Sequence, residues 1–198
     1  MDSATRYRNP GTHLAPGVET ALKIVVLGPF AVGKTTFVGA LSEIAPLRTE
    51  EVMTQAGVGV DDLAATPGKT TTTVALDFGR LTLDDELVLY LFGAPGQGRF
   101  EQVWRDLLTG ALGALVLADT RRLQQSYPFM DLLEEYGIPY AVAVNEFDHA
   151  PRHEAGELRA AMDLAERTPL TLCDARDRAS STRALITLTE YLLSLETA

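Results

Sequence analysis

The chain of 198 residues has only one cysteine and no long apolar segment. That cysteine, Cys173, cannot form an internal disulfide and is typical of a reducing compartment. No apolar run approaches the ~20 residues that cross a bilayer. Neither end carries a signal peptide, a myristoylation glycine or a prenylation cysteine. We therefore expect a cytoplasmic protein with no direct membrane anchor, which reaches the membrane face only through partners.

Positive charge is scarce as well. The chain has 17 Lys and Arg residues against 27 Asp and Glu residues, which gives a formal net charge of −10. Such an acidic surface argues against nucleic acid as the main partner and against attachment to anionic lipid. Hydrophobic residues make up 46% of the chain and charged residues 22%, as in an ordinary globular protein. The length suits one domain with a sizeable core.

The order of apolar segments indicates the fold class. Residues 1–20 are polar and contain several prolines and glycines, which predicts a flexible tail before a single domain over 21–198. In that domain strand-like runs alternate with helical segments, which is typical of an α/β fold whose mostly parallel sheet carries helices on both faces. Five parallel strands and one antiparallel edge strand, Val74–Leu83, are expected. The stretch Ala45–Thr73 shows no clear periodicity, so we expect a long functional loop there. The six expected strands are Leu22–Leu27, Val74–Leu83, Leu87–Phe92, Ala111–Ala118, Tyr140–Val144 and Leu170–Leu172.

Residues 28–35 have the pattern Gly-x4-Gly-Lys-Thr, directly after the first expected strand and before a segment of helical character. The glycines let the backbone curl so that N–H groups point at phosphate oxygens, and the helix N-terminus adds partial positive charge. We expect Lys34 to reach the β- and γ-phosphates and the Thr35 hydroxyl to take a Mg²⁺ coordination position. The pattern predicts a P-loop that binds a nucleoside triphosphate.

A second motif, Asn145-Glu146-Phe147-Asp148, follows the expected fifth strand. Ligands bind at the carboxyl ends of strands in such a sheet. The Asp148 carboxylate can accept hydrogen bonds from guanine N1–H and the exocyclic amine, whereas adenine presents a lone pair at N1 and lacks that amine. Asn145 can brace the phosphate loop. The motif therefore favours guanine.

A third segment, Gly93–Phe100, follows the expected third strand. Gly96 would let a backbone N–H approach a γ-phosphate closely, and Gln97 is a candidate for orienting the attacking water. The same glycines also fit a flexible turn, and Gln97 also fits a solvated side chain.

Together the three segments resemble those of the Ras-like small GTPases, over roughly Ala21–Leu195. The P-loop matches in full, Asn145–Asp148 is similar to the family's Asn-Lys-x-Asp base motif, and Gly93–Gly96 falls where the family has Asp-x-x-Gly. Thr73 begins a segment similar to the Rab switch I sequence, and Cys173–Arg176 lies where the family has Ser-Ala-Lys. Within this family, the Pro-Gly-Gln and Asn-Glu-Phe-Asp sequences resemble those of the bacterial conservon GTPases, which are relatives of MglA.

The resemblance implies a three-layer P-loop NTPase (G domain) that acts as a signalling switch, binds GTP and GDP with Mg²⁺ and hydrolyses GTP slowly. It implies catalytic roles for Gln97 and Lys34, and Mg²⁺ ligation by Thr35 and Thr73. It also implies a Roadblock/longin-type regulatory partner and a place in a sensor-kinase-like complex. The residues implied to bind the nucleotide are Gly28, Ala31, Val32, Gly33, Lys34, Thr35, Thr36, Gly96, Asn145, Asp148 and Ala175.

Three residues depart from the pattern of the family. Gly93 replaces an aspartate that holds Mg²⁺ through a water, and Glu146 replaces a lysine whose stem lies over the base. Phe30 is bulky where efficient hydrolysers have a small residue. We therefore expect weaker metal binding and slow turnover. Three aspartates are candidates to restore the metal shell instead, namely Asp61, Asp62 and Asp77.

Two further functions are compatible with a P-loop. One is a scaffold that binds the nucleotide without hydrolysing it. The other is a P-loop kinase or ATPase, against which Asp148 argues. Single-turnover hydrolysis separates the switch from the scaffold, and competition between GTP and ATP addresses the kinase or ATPase.

Overall fold

A computed structural model describes residues 17–45 and 76–196 in full, together with the backbone of the strands over 47–54 and 71–75. In this part of the chain seven strands form one sheet in the order β2-β3-β4-β1-β5-β6-β7. The strands are β1 (Thr20–Leu27), β2 (Leu47–Thr54), β3 (Thr71–Thr82), β4 (Leu87–Gly93), β5 (Gly113–Ala118), β6 (Tyr140–Asn145) and β7 (Leu170–Cys173). The helices are α1 (Lys34–Leu41), α2 (Glu101–Leu108), α3 (Tyr127–Glu135), α4 (Ala155–Ala161) and α5 (Arg178–Glu196).

The sheet has the predicted mostly parallel architecture. Strands β4, β1, β5, β6 and β7 are parallel neighbours, and β3 runs antiparallel to β4. All six strands expected from the sequence are present. The β3–β4 hairpin turns at Asp84, whose carboxylate accepts hydrogen bonds from the backbone N–H groups of Glu86 and Leu87 at 2.9 and 2.8 Å.

Two apolar clusters cover the two faces of the sheet, so the predicted three-layer arrangement is confirmed. On β1 the side chains of Ile24 and Val26 pack on one face, and those of Val25 and Leu27 pack on the other. Such alternation with apolar residues on both sides is the pattern of a strand buried between two layers of helices. Helices α1 and α5 cover the first face, and α2, α3 and α4 cover the second.

The stretch Ala45–Thr73 differs from the loop that was expected. Its first part forms β2, which pairs antiparallel with β3, so β3 is not the edge strand. The segment reads Leu-Arg-Thr-Glu-Glu-Val-Met-Thr and has no alternation of apolar and polar residues, so periodicity could not reveal it. Residues 55–70, which include Asp61 and Asp62, lie outside the described residues.

Further details concern the ends of elements. Pro128 occupies the first turn of α3, where its missing N–H costs nothing. A 3-10 turn, Leu123–Ser126, precedes it. Helix α5 begins at Arg178. The predicted tail over 1–20 falls largely outside the described residues, and β1 begins at Thr20.

In the described ranges, no helix combines the length and apolar character needed to cross a membrane.

Candidate nucleotide-binding site

The loop between β1 and α1 has the curled backbone that its glycines predict. Gly28, Ala31 and Gly33 all have positive φ angles, of 140°, 61° and 107°. A Cβ on Gly28 would lie 2.5 Å from the Leu117 carbonyl oxygen, and a Cβ on Gly33 would lie 2.6 Å from Asn145 Nδ2. These two positions therefore require glycine both for the backbone angle and for the close approach of neighbouring strand ends.

Lys34 lies inside this loop, with 8% of its surface exposed. Its ammonium donates hydrogen bonds to the carbonyl oxygens of Gly28 and Pro29 at 2.7 and 2.8 Å. Burial lowers the pKa of Lys34 to about 8, although the charge of Asp77 acts in the opposite direction. A buried, compact positive charge ringed by backbone groups is suited to phosphate.

The segment after β4 lies against this loop. A Cβ on Gly96 would be 2.4 Å from the Phe30 backbone nitrogen and 2.7 Å from Lys34 Nζ. The Phe30 backbone nitrogen and the Lys34 ammonium therefore lie together directly beside Gly96, and both are groups that can donate to a phosphate oxygen. Trp104 of α2 fixes the segment from behind, since its indole N–H donates to the Pro95 carbonyl oxygen at 2.6 Å.

Thr35 is exposed in the first turn of α1, and its hydroxyl donates a hydrogen bond to Asp77 Oδ2 at 2.5 Å. Asp77 is on β3, opposite Gly93 of β4. Hydroxyl and carboxylate oxygens are the ligands that Mg²⁺ prefers, so the donor set at this point fits that ion. Thr73 precedes Asp77 on β3, and its backbone lies opposite Val52 of β2. Its side chain is outside the part of the chain that the structure describes.

Asn145 connects the base motif to the phosphate loop. Its Nδ2 donates to the Val32 carbonyl oxygen at 2.9 Å, and its Oδ1 accepts from the Ala175 backbone N–H at 3.0 Å. Asn145 is 5% exposed, so both hydrogen bonds are shielded from water. One amide therefore holds together the P-loop, the end of β6 and the loop after β7.

Asp148 lies at the open rim of the site, where it forms an ion pair with Arg176. The guanidinium donates to both carboxylate oxygens of Asp148, at 2.9 and 3.3 Å, and also contacts Asp174. Hydrogen bonds from Arg176 hold the pKa of the Asp148 carboxyl below its usual value. The sequence motif identified Asp148 but not its partner, because Arg176 is 28 residues away along the chain.

A second arginine cluster contacts the P-loop from the end of β5, and no motif identified it. Asp119 is fully buried and accepts hydrogen bonds from Arg121 at 2.8 Å and from Arg122 at 3.2 Å. Burial raises the pKa of Asp119, but the two arginines outweigh this effect and hold it below its usual value. Arg122 also donates to the Phe30 carbonyl oxygen at 3.2 Å, and Arg121 stacks on the ring of Phe147 at 4.2 Å. The cluster connects the outside of the P-loop to the base motif.

Most residues proposed from the sequence lie at one edge of the sheet. Asp148 is at the rim of this group, and Thr73 is on the neighbouring strand. The residues around the start of α1 are Gly28, Ala31, Val32, Gly33, Lys34, Thr35, Thr36, Gly96, Gln97, Asn145 and Ala175.

The fold and the loop after β1 define a P-loop protein with a GTPase-like G domain, which is a nucleotide-binding fold. The chain belongs to the family described as conserved hypothetical ATP binding protein, whose model matches residues 26–195. An uncharacterized protein of Methanocaldococcus jannaschii is 33% identical over 129 residues, which is 64% of this chain and 71% of that protein.

Solved structures with the same fold include two G domains and an elongation factor. The G domain of the T. maritima FeoB iron transporter matches with a TM-score of 0.60 at 21% identity, over 87% of this chain and 99% of that one. The FeoB G domain of Methanococcus jannaschii matches with a TM-score of 0.58 at 14% identity, over 87% and 98%. Elongation factor SelB of Methanococcus maripaludis, solved with the GTP analogue GPPNHP, matches with a TM-score of 0.57 at 17% identity, over 87% and 34%. At these identities the likeness shows the fold.

Proposed function

We propose that this protein binds GTP and GDP with Mg²⁺ and acts as a switch that hydrolyses GTP slowly. The observation that carries the proposal is the pair of hydrogen bonds made by Asn145, which hold the base motif and the P-loop at one site. Asp148, three residues further on, presents a carboxylate at the rim of that site. The likeness in fold to the cytosolic domain of FeoB in its GMPPNP form and to SelB in complex with the GTP analogue GPPNHP supports the same proposal.

Guanine is the proposed base because of the hydrogen-bonding pattern of Asp148. A carboxylate accepts two N–H groups from guanine, whereas adenine would place a lone pair against it. Adenine is the second candidate, because the description of the family names ATP. Arg176 also occupies both oxygens of Asp148 in the described structure, so a bound base has to share or displace it.

Competition binding with a fluorescent GDP analogue tests the choice of base. GTP and GDP should displace the analogue from the wild-type protein, whereas ATP should not. Asp148→Asn should bind GTP more weakly and gain affinity for xanthosine triphosphate, whose 2-carbonyl complements an amide. Asp174→Asn is the matched control, since it removes the same charge beside the same arginine and should leave the preference for guanine over xanthine unchanged. Displacement by ATP in preference to GTP would select the adenine alternative, and displacement by neither would refute nucleotide binding.

Slow hydrolysis is proposed from the position of Phe30. This side chain is 65% exposed and borders the same cavity as Gln97. Its bulk is placed to hinder Gln97 from orienting a water. In single-turnover assays Phe30→Gly should hydrolyse GTP faster than wild type, and Gln97→Ala should be slower. Binding without any hydrolysis, with or without a partner, would instead support the non-hydrolysing scaffold.

We further propose the conservon or MglA-type role, with a Roadblock/longin-type partner that prefers the GTP state. This part rests on the similarity of Pro95-Gly96-Gln97 and of the base motif to that group. By thermodynamic reciprocity, a partner that prefers the GTP-bound state must also raise the affinity of the protein for GTP. Copurification with proteins encoded nearby, followed by GTP affinity measurements with and without them, is the test. A bound partner that leaves GTP affinity unchanged would contradict the proposed switch.

A further inference from the structure

The neighbouring strands β3 and β4 place a carboxylate next to the start of α1. Asp77 of β3 lies directly opposite Gly93 of β4 in the antiparallel register. Its Oδ2 accepts the hydroxyl proton of Thr35 at 2.5 Å, across 42 residues of chain. Asp77 is 9% exposed, so this contact is largely shielded from solvent. The short distance is typical of a charge-assisted hydrogen bond.

Gly93 provides the space that the Asp77 side chain occupies. A Cβ on Gly93 would lie 3.0 Å from the Asp77 Cβ and 3.2 Å from its Oδ2. Contacts this short are tighter than most real Cβ contacts, so a side chain at this position would require Asp77 to move by a few tenths of an ångström from where it meets Thr35. A carboxylate from β3 and the absence of a side chain on β4 are thus two parts of one arrangement.

We propose that Asp77 is the carboxylate of the Mg²⁺ site in this protein and that it acts by orienting Thr35. Because the Thr35 hydroxyl donates its proton to Asp77, its oxygen lone pairs are left for the metal. Mg²⁺ is typically held by one or two carboxylates together with substrate phosphates and water. Groups that orient a ligand in this way typically change metal affinity about 10–100-fold. The inference rests on the proposed function, since the metal accompanies the nucleotide.

The surrounding charge is consistent with this role. Asp77 is close enough to Lys34 for its charge to oppose the effect of burial on the pKa of that lysine. A carboxylate beside the ammonium places both charges that phosphate and metal require at the mouth of one loop. Thr35, Lys34 and Asp77 also line the same cavity as Gly96.

The first experiment measures the affinity of a fluorescent GDP analogue in EDTA and over a Mg²⁺ titration. Mn²⁺ binding followed by electron paramagnetic resonance gives a second readout that does not depend on hydrolysis. Asp77→Asn keeps the size of the side chain but removes the charge, so Thr35 is left with at most a weaker, neutral acceptor and its hydroxyl is held less firmly. It should lower the Mg²⁺ and Mn²⁺ affinity of the GDP complex about 10–100-fold while GDP affinity in EDTA stays close to wild type. Asp85→Asn, in the exposed β3–β4 turn, is the matched control and should behave as wild type.

The second experiment exchanges the two residues across the register pair. The double variant Asp77→Gly with Gly93→Asp supplies the carboxylate from β4 into the same space. It should regain most of the metal affinity that Asp77→Asn loses. Gly93→Asp alone puts two carboxylates in contact and should unfold at a lower temperature than wild type.

The outcomes separate this inference from the proposed function. A wild type that binds no GDP, with or without Mg²⁺, refutes the proposed function and this inference with it. A wild type that binds GDP equally with and without Mg²⁺, or an Asp77→Asn variant with wild-type metal affinity, overturns this inference alone. If the double variant folds but its metal affinity stays as low as that of Asp77→Asn, Asp77 has a purely structural role and the inference is also overturned. If Asp77→Asn does not fold, the double variant is compared with wild type instead, and a metal affinity about 10–100-fold below that of wild type overturns the inference.

Discussion

Gly96 and Gly98 form a matched pair of glycines that tests the contact between the P-loop and the segment after β4. A Cβ on Gly96 would lie 2.4 Å from the Phe30 nitrogen, whereas ordinary contacts begin at 3.4 Å, so the two backbones must separate by about 1 Å. Both partners are backbone, so no side-chain rotation relieves the clash. Overpacking of this kind typically costs ~1–3 kcal/mol. We expect Gly96→Ala to lower the free energy of unfolding by that amount. It should also weaken the binding of a GTP analogue at least ~10-fold relative to the binding of GDP, which corresponds to ~1.4 kcal/mol.

Urea denaturation and competition binding measure the two effects. Gly98→Ala is the control, because a Cβ there has nothing within 4 Å and neither glycine has a positive φ angle. It should change stability by less than ~0.5 kcal/mol and leave the preference for the GTP analogue unchanged. Equal behaviour of the two alanine variants would refute the argument that Gly96 forms one wall of the phosphate site.

Three other residues give further predictions. Asn145→Ala leaves a buried carbonyl and a buried N–H without a partner, each a loss of ~1–3 kcal/mol. Urea denaturation should show a free energy of unfolding lower by ~2–6 kcal/mol in total, and a loss below ~0.5 kcal/mol would contradict the bracing role. Lys34 has a pKa lowered to about 8 but must be charged to bind phosphate, so nucleotide affinity should fall as pH rises through 8. Calorimetry in buffers of different ionisation enthalpy should detect proton uptake there, and its absence would show that binding does not charge Lys34. Arg176→Ala frees both oxygens of Asp148 and should raise the affinity for GDP. Weaker GDP binding would mean that the arginine helps to hold the base.

Several features of the fold follow from local sequence. Strands β5 and β6 are buried along their whole length, and a continuous apolar run is sufficient to locate such strands. The P-loop was located for a similar reason, because its turn and the following helix depend on residues within one short segment. Asn145 was also correctly expected to brace the phosphate loop, since the carboxyl ends of parallel strands meet at one edge.

Strand β2 shows where pattern alone fails. It pairs with β3 through backbone hydrogen bonds, and its sequence has no apolar face. A strand at the edge of a sheet is selected by the unpaired backbone of its neighbour more than by its own side chains. That neighbour is known only once the sheet is assembled.

The sequence by itself determined the class of site: a phosphate loop, a carboxylate for the base and a glycine-rich segment after β4. Each of these depends on residues that are adjacent in the chain, so spacing carries the information. Only the tertiary structure decided which groups complete the site. Asp77 meets Thr35 across 42 residues, and Arg122 meets Phe30 across 92. These contacts depend on strand register and on the space left at Gly93, and both are properties of the packed sheet rather than of any one segment.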